Sequence, residues 1–89
     1  MKQVDLYCHM PWTGNEESLR DRVFLFCIDK KCMTGKVIAV TRLSTNEKFE
    51  LAVSFIEPKY FENEKKIGSR ITIQEASEIL AEGIVTRVP

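Results

Sequence analysis

The sequence predicts an all-β protein: residues 1–89 form a single domain, a small closed antiparallel β-barrel of about six strands. The prediction depends on short runs of β-forming residues, on turn signals that separate these runs at close intervals, and on the chain length of 89 residues. A chain of this length has no room for a second domain. Closure is expected because an open sheet this small would leave two unpaired edges.

The first three predicted strands differ in pattern. Apolar and polar residues alternate in V-D-L-Y-C-H (4–9). R-V-F-L-F-C-I-D (22–29) is apolar on both faces, which suits a strand that is covered on both sides or tightly curved. K-V-I-A-V-T-R-L (36–43) is rich in β-branched residues.

A fourth strand, predicted over 48–57, has the clearest alternation, and its apolar face consists of Phe49, Leu51, Val53 and Phe55. Pro58 ends it, since proline has no amide hydrogen to donate.

Turns and loops are predicted between these strands. They are a loop over 10–21, a turn over 30–35 that ends at Gly35, a turn over 44–47 in which Asn46 takes a positive φ, and a charged loop over 59–68.

The stretch 68–88 admits two interpretations from the residues alone. Thr72 and Glu75 have the spacing of a helix capping box, and Ile73, Ala76, Ile79 and Leu80 fall on one helical face. The same residues also fit two strands joined by a tight turn at 75–77. Isolated helices of about ten residues are marginal in water, so tertiary packing decides between the two.

Composition bounds the class of protein. Thirteen basic residues balance thirteen acidic ones, so the chain lacks the long-range field that attracts nucleic acid or anionic lipid. No run approaches the roughly 18 apolar residues of a membrane span, and the start has no secretory signal pattern. Three cysteines at unremarkable spacings predict unpaired thiols and a cytoplasmic location.

The last third of the chain resembles the closing strands of the C-terminal barrel, domain III, of the translation elongation factor Tu family. The family ends in a pattern like G-L-R-F-x-I-R-E-G-G-R-T-V-G-x-G-V-V-T-x-V. The positions that agree are Gly68, Arg70, Ile73, Glu75, Gly83, Val85, Thr86 and Val88. Shorter similarities lie in L-A-V-S-F-I-E-P-K-Y-F-E (51–62), C-M-T-G-K-V (32–37), V-D-L-Y-C-H (4–9) and R-V-F-L-F (22–26).

The resemblance implies a hairpin over 68–88, in which Ala76-Ser77 replaces the glycine pair of the family. Burial of aliphatic side chains is expected to outweigh the local helix preference. The residues expected to supply it are Ile71, Ile73, Ile79, Ile84, Val85 and Val88. The chain has no G-x-x-x-x-G-K-[ST] loop, so the GTPase activity of the intact factor is not expected.

Neither catalysis, a metal nor a cofactor is expected. His9 is the only histidine, and its spacing from Cys8, Cys27 and Cys32 matches no standard zinc site. Cys8 and Cys27 are predicted as small core residues and Cys32 as a thiol in a turn. A Cys–His nucleophile pair would need a lowered thiol pKa and a third orienting group.

Candidate partner-binding residues are Trp12 in the first loop and the pair Tyr60 and Phe61 in the charged loop, because aromatic residues are enriched at interfaces. The alternative is that these aromatic side chains have only a structural role and cap the barrel. Domain III of the family contacts the T stem of tRNA, which makes a weak RNA site a further candidate. Its residues would be Arg20, Arg22, Lys30, Lys31 and Arg70, with Lys36 beside them.

Three functions fit these observations. The first is a non-catalytic module that binds a protein partner, possibly of the translation machinery. The second is a weak tRNA- or RNA-binding accessory. The third is an immunity or antitoxin protein that mimics the elongation factor.

Overall fold

A computed structural model describes residues 3–12, 15–43 and 48–89, and it contains a closed barrel of six antiparallel strands. The strands run around the barrel in the order β1-β4-β3-β2-β5-β6. Their bounds are β1 Leu6–Pro11, β2 Val23–Ile28, β3 Lys31–Arg42, β4 Lys48–Phe55, β5 Arg70–Glu75 and β6 Glu78–Arg87. Two short 3₁₀ turns, Glu16–Ser18 and Pro58–Phe61, lie in the connections. The predicted fold class is confirmed.

Alternating side chains fill the barrel interior. On β4, Phe49, Leu51, Val53 and Phe55 are all buried, as the sequence pattern predicts. β1 contributes every second residue, Leu6, Cys8 and Met10, each directly opposite a buried residue of β4. The inward residues of the remaining strands complete one continuous core. The interior is therefore packed with side chains, as expected for a barrel of this strand number.

Aromatic rings form a connected row through this core. Trp12, Phe24, Phe26, Phe55 and Phe61 follow one another with ring centroids 6.3, 6.3, 5.8 and 5.0 Å apart, each pair edge to face. Edge-to-face packing contributes about 0.5–1.5 kcal/mol per pair beyond burial. The row ties the first loop, β2, β4 and the second 3₁₀ turn into one unit.

The hairpin between β2 and β3 differs from the predicted turn over 30–35. Its tight turn is Asp29-Lys30, because Ile28 pairs with Lys31 and Asp29 adopts a φ of 57°. Gly35 lies within β3. A Cβ at Gly35 would stand 2.8 Å from a ring carbon of Phe55 and 2.9 Å from one of Phe26. This glycine makes room for core aromatics, and a short polar aspartate supplies the left-handed residue.

The C-terminal stretch forms a hairpin, as the resemblance implies. Glu75 pairs with Glu78 across the two-residue turn Ala76-Ser77, and Ala76 has a φ of 57°. A positive φ at the first turn position is where a two-residue hairpin favours glycine. The turn therefore forms with alanine at this position, although a side chain makes a positive φ energetically costly.

Replacing Ala76 with glycine is expected to stabilise the barrel by about 1 kcal/mol, because glycine reaches positive φ without steric cost. Urea denaturation of the wild type and Ala76→Gly measures the change. Ser77→Gly is the matched control: Ser77 is not among the described residues with positive φ. That control should lose roughly 0.5–1 kcal/mol through the entropy of its unfolded state. A stabilised Ser77→Gly with an unchanged Ala76→Gly would contradict the turn geometry.

The barrel closes where the first strand meets the last. β1 pairs with β4 at six positions but with β6 at three, Tyr7–Arg87, Cys8–Val85 and His9–Ile84. Gly83 lies against the backbone of β1, since a Cβ there would stand 2.1 Å from the carbonyl oxygen of His9. We call these three pairs and Gly83 the seam.

Asp5 fixes the start of β1 to β4. Its carboxylate is buried and accepts a 2.7 Å hydrogen bond from the backbone N–H of Phe55, while its own N–H donates to the Val53 carbonyl at 2.8 Å. A buried polar group is tolerated when it is hydrogen-bonded in this way.

The turn predicted over 44–47, with Asn46 at positive φ, lies outside the described residues. None of the helical segments within 3–12, 15–43 and 48–89 has the length and apolar character needed to cross a membrane.

Candidate functional site

Trp12 is built into the barrel rim. Its indole N–H donates to the Ser18 hydroxyl at 2.9 Å, and its ring packs edge to face on Phe24. The side chain is half-buried against the core. These contacts give Trp12 a structural role, which is to hold the 3₁₀ turn Glu16–Ser18 against β2.

Tyr60 and Phe61 lie at different depths. Tyr60 is 44% exposed, whereas Phe61 is fully buried and packs on Phe55. Lys31 places its ammonium 5.3 Å from the Tyr60 ring centre and 3.2 Å from Glu64. The side chain of Phe61 belongs to the core and does not reach a docking surface. Tyr60 alone of the two presents area to a partner.

The basic residues named as RNA candidates form two separate groups. Arg20 and Arg22 precede β2, while Lys30 and Lys31 follow it. Arg70 joins the second group, because its neighbour Ile71 pairs with Ile28 at the end of β2. Six strand residues separate the groups by roughly 20 Å.

Acidic neighbours compensate most of these charges. Arg20 contacts Glu16 and Glu17 at 3.6 and 3.8 Å, and Arg22 contacts Glu75 at 3.3 Å. Lys31 and Arg70 contact Glu64 and Glu82 at 3.2 and 3.5 Å. Exposed ion pairs contribute little to stability, but here they cancel the local positive potential on which phosphate binding depends.

Two of the cysteines are joined in a disulfide, which corrects the prediction of unpaired thiols. Cys27 and Cys32 are directly opposite each other in the β2–β3 register, with Cα atoms 4.0 Å apart, and their sulfurs are bonded. The prediction failed because it placed Cys32 in a turn. Once the turn is Asp29-Lys30, the two cysteines become cross-strand neighbours. The core position of Cys27 was predicted correctly.

Cys8 and His9 do not form a nucleophile pair. Cys8 is fully buried, and His9 is on the opposite face of β1, with its Nε2 atom 3.3 Å from a Glu50 carboxylate oxygen. Burial, and secondarily the Glu50 carboxylate, raises the pKa of the Cys8 thiol from 9.0 to about 12. The thiol therefore stays protonated at neutral pH, which is the opposite of what an attacking cysteine needs.

The raised thiol pKa predicts an alkaline loss of stability. The free energy of unfolding that the buried, protonated Cys8 thiol contributes is fully present below its unfolded-state pKa of about 9. This contribution declines as the pH rises toward its folded-state pKa of about 12. The difference in unfolding free energy between the wild type and Cys8→Ala should therefore shift against the wild type by about 1.4 kcal/mol per pH unit above pH 9. Urea denaturation at pH 7.5, 9 and 10.5 measures it. A constant difference over this range would contradict the raised pKa.

No group of three or more histidine, cysteine, aspartate and glutamate side chains within 3–12, 15–43 and 48–89 is arranged to hold a metal ion. A shallow groove does follow the seam, where His9, Arg70 and Glu82 provide polar groups beside Ile84 and Thr86. These polar groups can hydrogen-bond a surface ligand.

Several aliphatic side chains lie on the outer surface, which the sequence pattern does not predict. Ile79 and Ile84, expected to be buried, are 61% and 53% exposed, and Leu80 is 39% exposed. Val85 faces the core, so Ile84 must face outward by alternation. A register shift between Ile73 and Gln74 leaves Leu80 as an extra residue in β6, which places two consecutive aliphatics on the outside.

Other exposed aliphatics are Val23, Ile56 and Ile67. Val23 and Ile56 line a shallow groove beside Gly35 and Phe55. No protein family model and no curated protein sequence matches this chain.

Proposed function

We propose that this protein is a non-catalytic module that binds a protein partner through the outer surface of its barrel. The observation that carries the proposal is the set of three aliphatic side chains exposed on one strand, Ile79, Leu80 and Ile84. Scattered exposed aliphatics are ordinary, but Ile79 and Leu80 are consecutive, and contiguous exposed apolar residues are typical of interaction surfaces.

The translation machinery is the proposed source of the partner. Support comes from the resemblance of 68–88 to the elongation factor Tu family, whose domain III hairpin implies the strand pairing seen in β5 and β6. A cytoplasmic location is proposed on the same resemblance. The cysteine argument for it no longer applies, because Cys27 and Cys32 are bonded to each other.

Affinity capture tests the proposal directly. The purified protein is immobilised and exposed to lysate of its own host, with and without nuclease, and retained proteins are quantified. A stoichiometric protein that survives nuclease treatment is expected. Retention of nothing but nucleic acid would replace the proposal with the RNA-binding alternative, and retention of neither would overturn both. A captured partner that does not belong to the translation machinery would contradict only the proposed link to translation.

Matched surface variants link the partner to the aliphatic residues. One bait carries threonine at Ile79, Leu80 and Ile84, and the second carries threonine at Val23 and Ile56. All five side chains are at least 39% exposed, so both baits should remain folded. The first bait is expected to lose the partner, and the second is expected to keep it. A partner retained equally by both would contradict the aliphatic surface as its binding site.

A further inference from the structure

We propose that the free edge of β6 over Glu78–Glu82 binds an extended, lysine- or arginine-rich segment of a partner protein as an added β-strand. The inference deepens the proposed protein-binding function and rests on it. It assigns both the mode of binding and the chemistry of the partner. We call this segment of β6, on its side away from β5, the open edge.

The open edge exists because β1 is too short to cover it. β1 pairs with β6 only between Tyr7–Arg87 and His9–Ile84, and it ends at Pro11, which has no N–H to extend the ladder. β5 continues on the other side as far as Glu75–Glu78. Within the described part of the chain, residues 78–82 thus have a strand partner along one edge only. The register places Pro11 opposite Glu82, and both line one groove, so it is residues 78–81 that β1 does not reach.

Backbone groups at this edge point outward. Val85 donates its N–H to Ser69 and accepts one from Gly68, so both of its groups face the β5 side. Backbone groups alternate between the two edges of a strand, which turns those of Glu82 toward the open edge. Unpaired backbone groups on an edge strand are a ready template for another strand.

Side chains beside this edge provide apolar contact. Ile79 and Leu80 are exposed next to each other because of the bulge in β6. An added strand would cover these two aliphatics with its own side chains, which is how strand addition obtains specificity.

Charge selects the occupant. The segment E-I-L-A-E carries two carboxylates and no basic residue. A second copy of this chain, paired antiparallel about Leu80, would place Glu78 opposite Glu82 at both ends, and like charges directly opposite each other destabilise a sheet. A strand with lysine or arginine flanking apolar residues instead meets carboxylates with cations. Among the residues that the structure describes, Glu82 has an exposed ion pair with Arg70 at 3.5 Å, which is easily exchanged.

The probe is an acetylated and amidated nonapeptide that alternates lysine with isoleucine or valine. Fluorescence anisotropy of the labelled peptide, at low and at physiological salt, is expected to show saturable binding that weakens with salt. Two control peptides separate the contributions. Glutamate in place of lysine, and N-methylation of alternate amides, should each weaken binding roughly tenfold or more, the factor that corresponds to about 1.4 kcal/mol. No saturable binding of the lysine peptide would overturn the proposal.

Protein variants locate the site. Ile79→Lys should reduce affinity for the lysine peptide at least tenfold, since it adds a like charge and removes apolar contact. Ile56→Lys is the matched control, because Ile56 is 70% exposed at the end of β4, and it should bind normally. Equal losses in both variants would overturn the open edge as the site. Hydrogen exchange at the Glu82 amide of the wild-type protein locates the binding site without any variant. The exchange is expected to slow on peptide binding, and unchanged exchange would contradict the open edge as the site.

Two outcomes separate this inference from the function beneath it. A captured partner that Ile79→Lys still retains would leave the protein-binding function standing and remove the open edge. A concentration-dependent dimer in sedimentation, abolished by Ile79→Lys, would show that a second copy is the occupant and overturn the basic segment.

Discussion

Gly83→Ala is expected to destabilise the barrel by about 3 kcal/mol or more, at the upper end of what overpacking costs. The new Cβ would stand 2.1 Å from the His9 carbonyl oxygen and 3.1 Å from the Met10 Cα, and both are backbone atoms. Relief requires β1 and β6 to separate at the seam, where only three positions pair. Thermal unfolding should show a loss of roughly 12 °C or more, given about 4–8 °C per kcal/mol for a domain of this size.

Gly68→Ala is the control that separates a steric clash from backbone strain. Gly68 has a φ of 93°, but a Cβ there would meet nothing within 4 Å. This variant should therefore lose only the conformational term of about 1–2 kcal/mol. Equal losses at the two glycines would show that the close approach at Gly83 does not determine stability.

Phe61→Ala is expected to cost about 3–5 kcal/mol, the usual range for removing a buried aromatic ring. Phe61 is fully buried, and its ring centre is 5.0 Å from that of Phe55 in the aromatic row. Its loss leaves a cavity under the 3₁₀ turn Pro58–Phe61. Urea denaturation measures the change, and Phe61→Leu should recover most of it.

Tyr60→Ala is the matched control for a neighbouring aromatic. Tyr60 is 44% exposed and meets Lys31 at 5.3 Å, so its removal should cost about 1 kcal/mol or less. If Phe61→Ala were as mild as Tyr60→Ala, the ring would not be part of the core. The contrast also shows why a docking test must change Tyr60 alone: removing Phe61 perturbs the barrel itself.

Much of the fold could be predicted from local patterns and from the need to close the sheet. β4 is the clearest case, since its strict alternation places Phe49, Leu51, Val53 and Phe55 in the core. The terminal hairpin could not be predicted from the local pattern alone, because the T-x-x-E spacing and the helical apolar face favour a helix there. The hairpin pairs with β2 on one side and with β1 on the other, and this pairing favours extended strands. Helix-propensity differences of less than about 1 kcal/mol per residue are too small to oppose it.

The errors have a common physical cause, namely that turn position and strand register depend on partners elsewhere in the chain. The sequence pattern places Gly35 in a turn, yet a glycine is needed there because Phe26 and Phe55 occupy the space beside it. Moving the turn to Asp29-Lys30 brings Cys27 and Cys32 together, so one misplaced turn also concealed the disulfide.

The candidate site was harder to predict than the fold. Aromatic character suggested Phe61 as a surface anchor, but the ring completes the core. Charge suggested Arg20, Arg22, Lys31 and Arg70, whose acidic partners come from contacts that sequence spacing shows only for Arg20. Exposure of Leu80 follows from a single extra residue in β6, and no periodic pattern announces such a bulge.

The seam joins strands from opposite ends of the described chain, with Cys8 beside Val85. During synthesis on the ribosome, therefore, the nascent polypeptide carries β1 without its β6 neighbour until residues 84–87 have emerged. Strand pairs so distant in sequence assemble slowly, and two sheet margins stay uncovered in the meantime. Cellular yield should consequently depend on holdase chaperones that shield the growing chain.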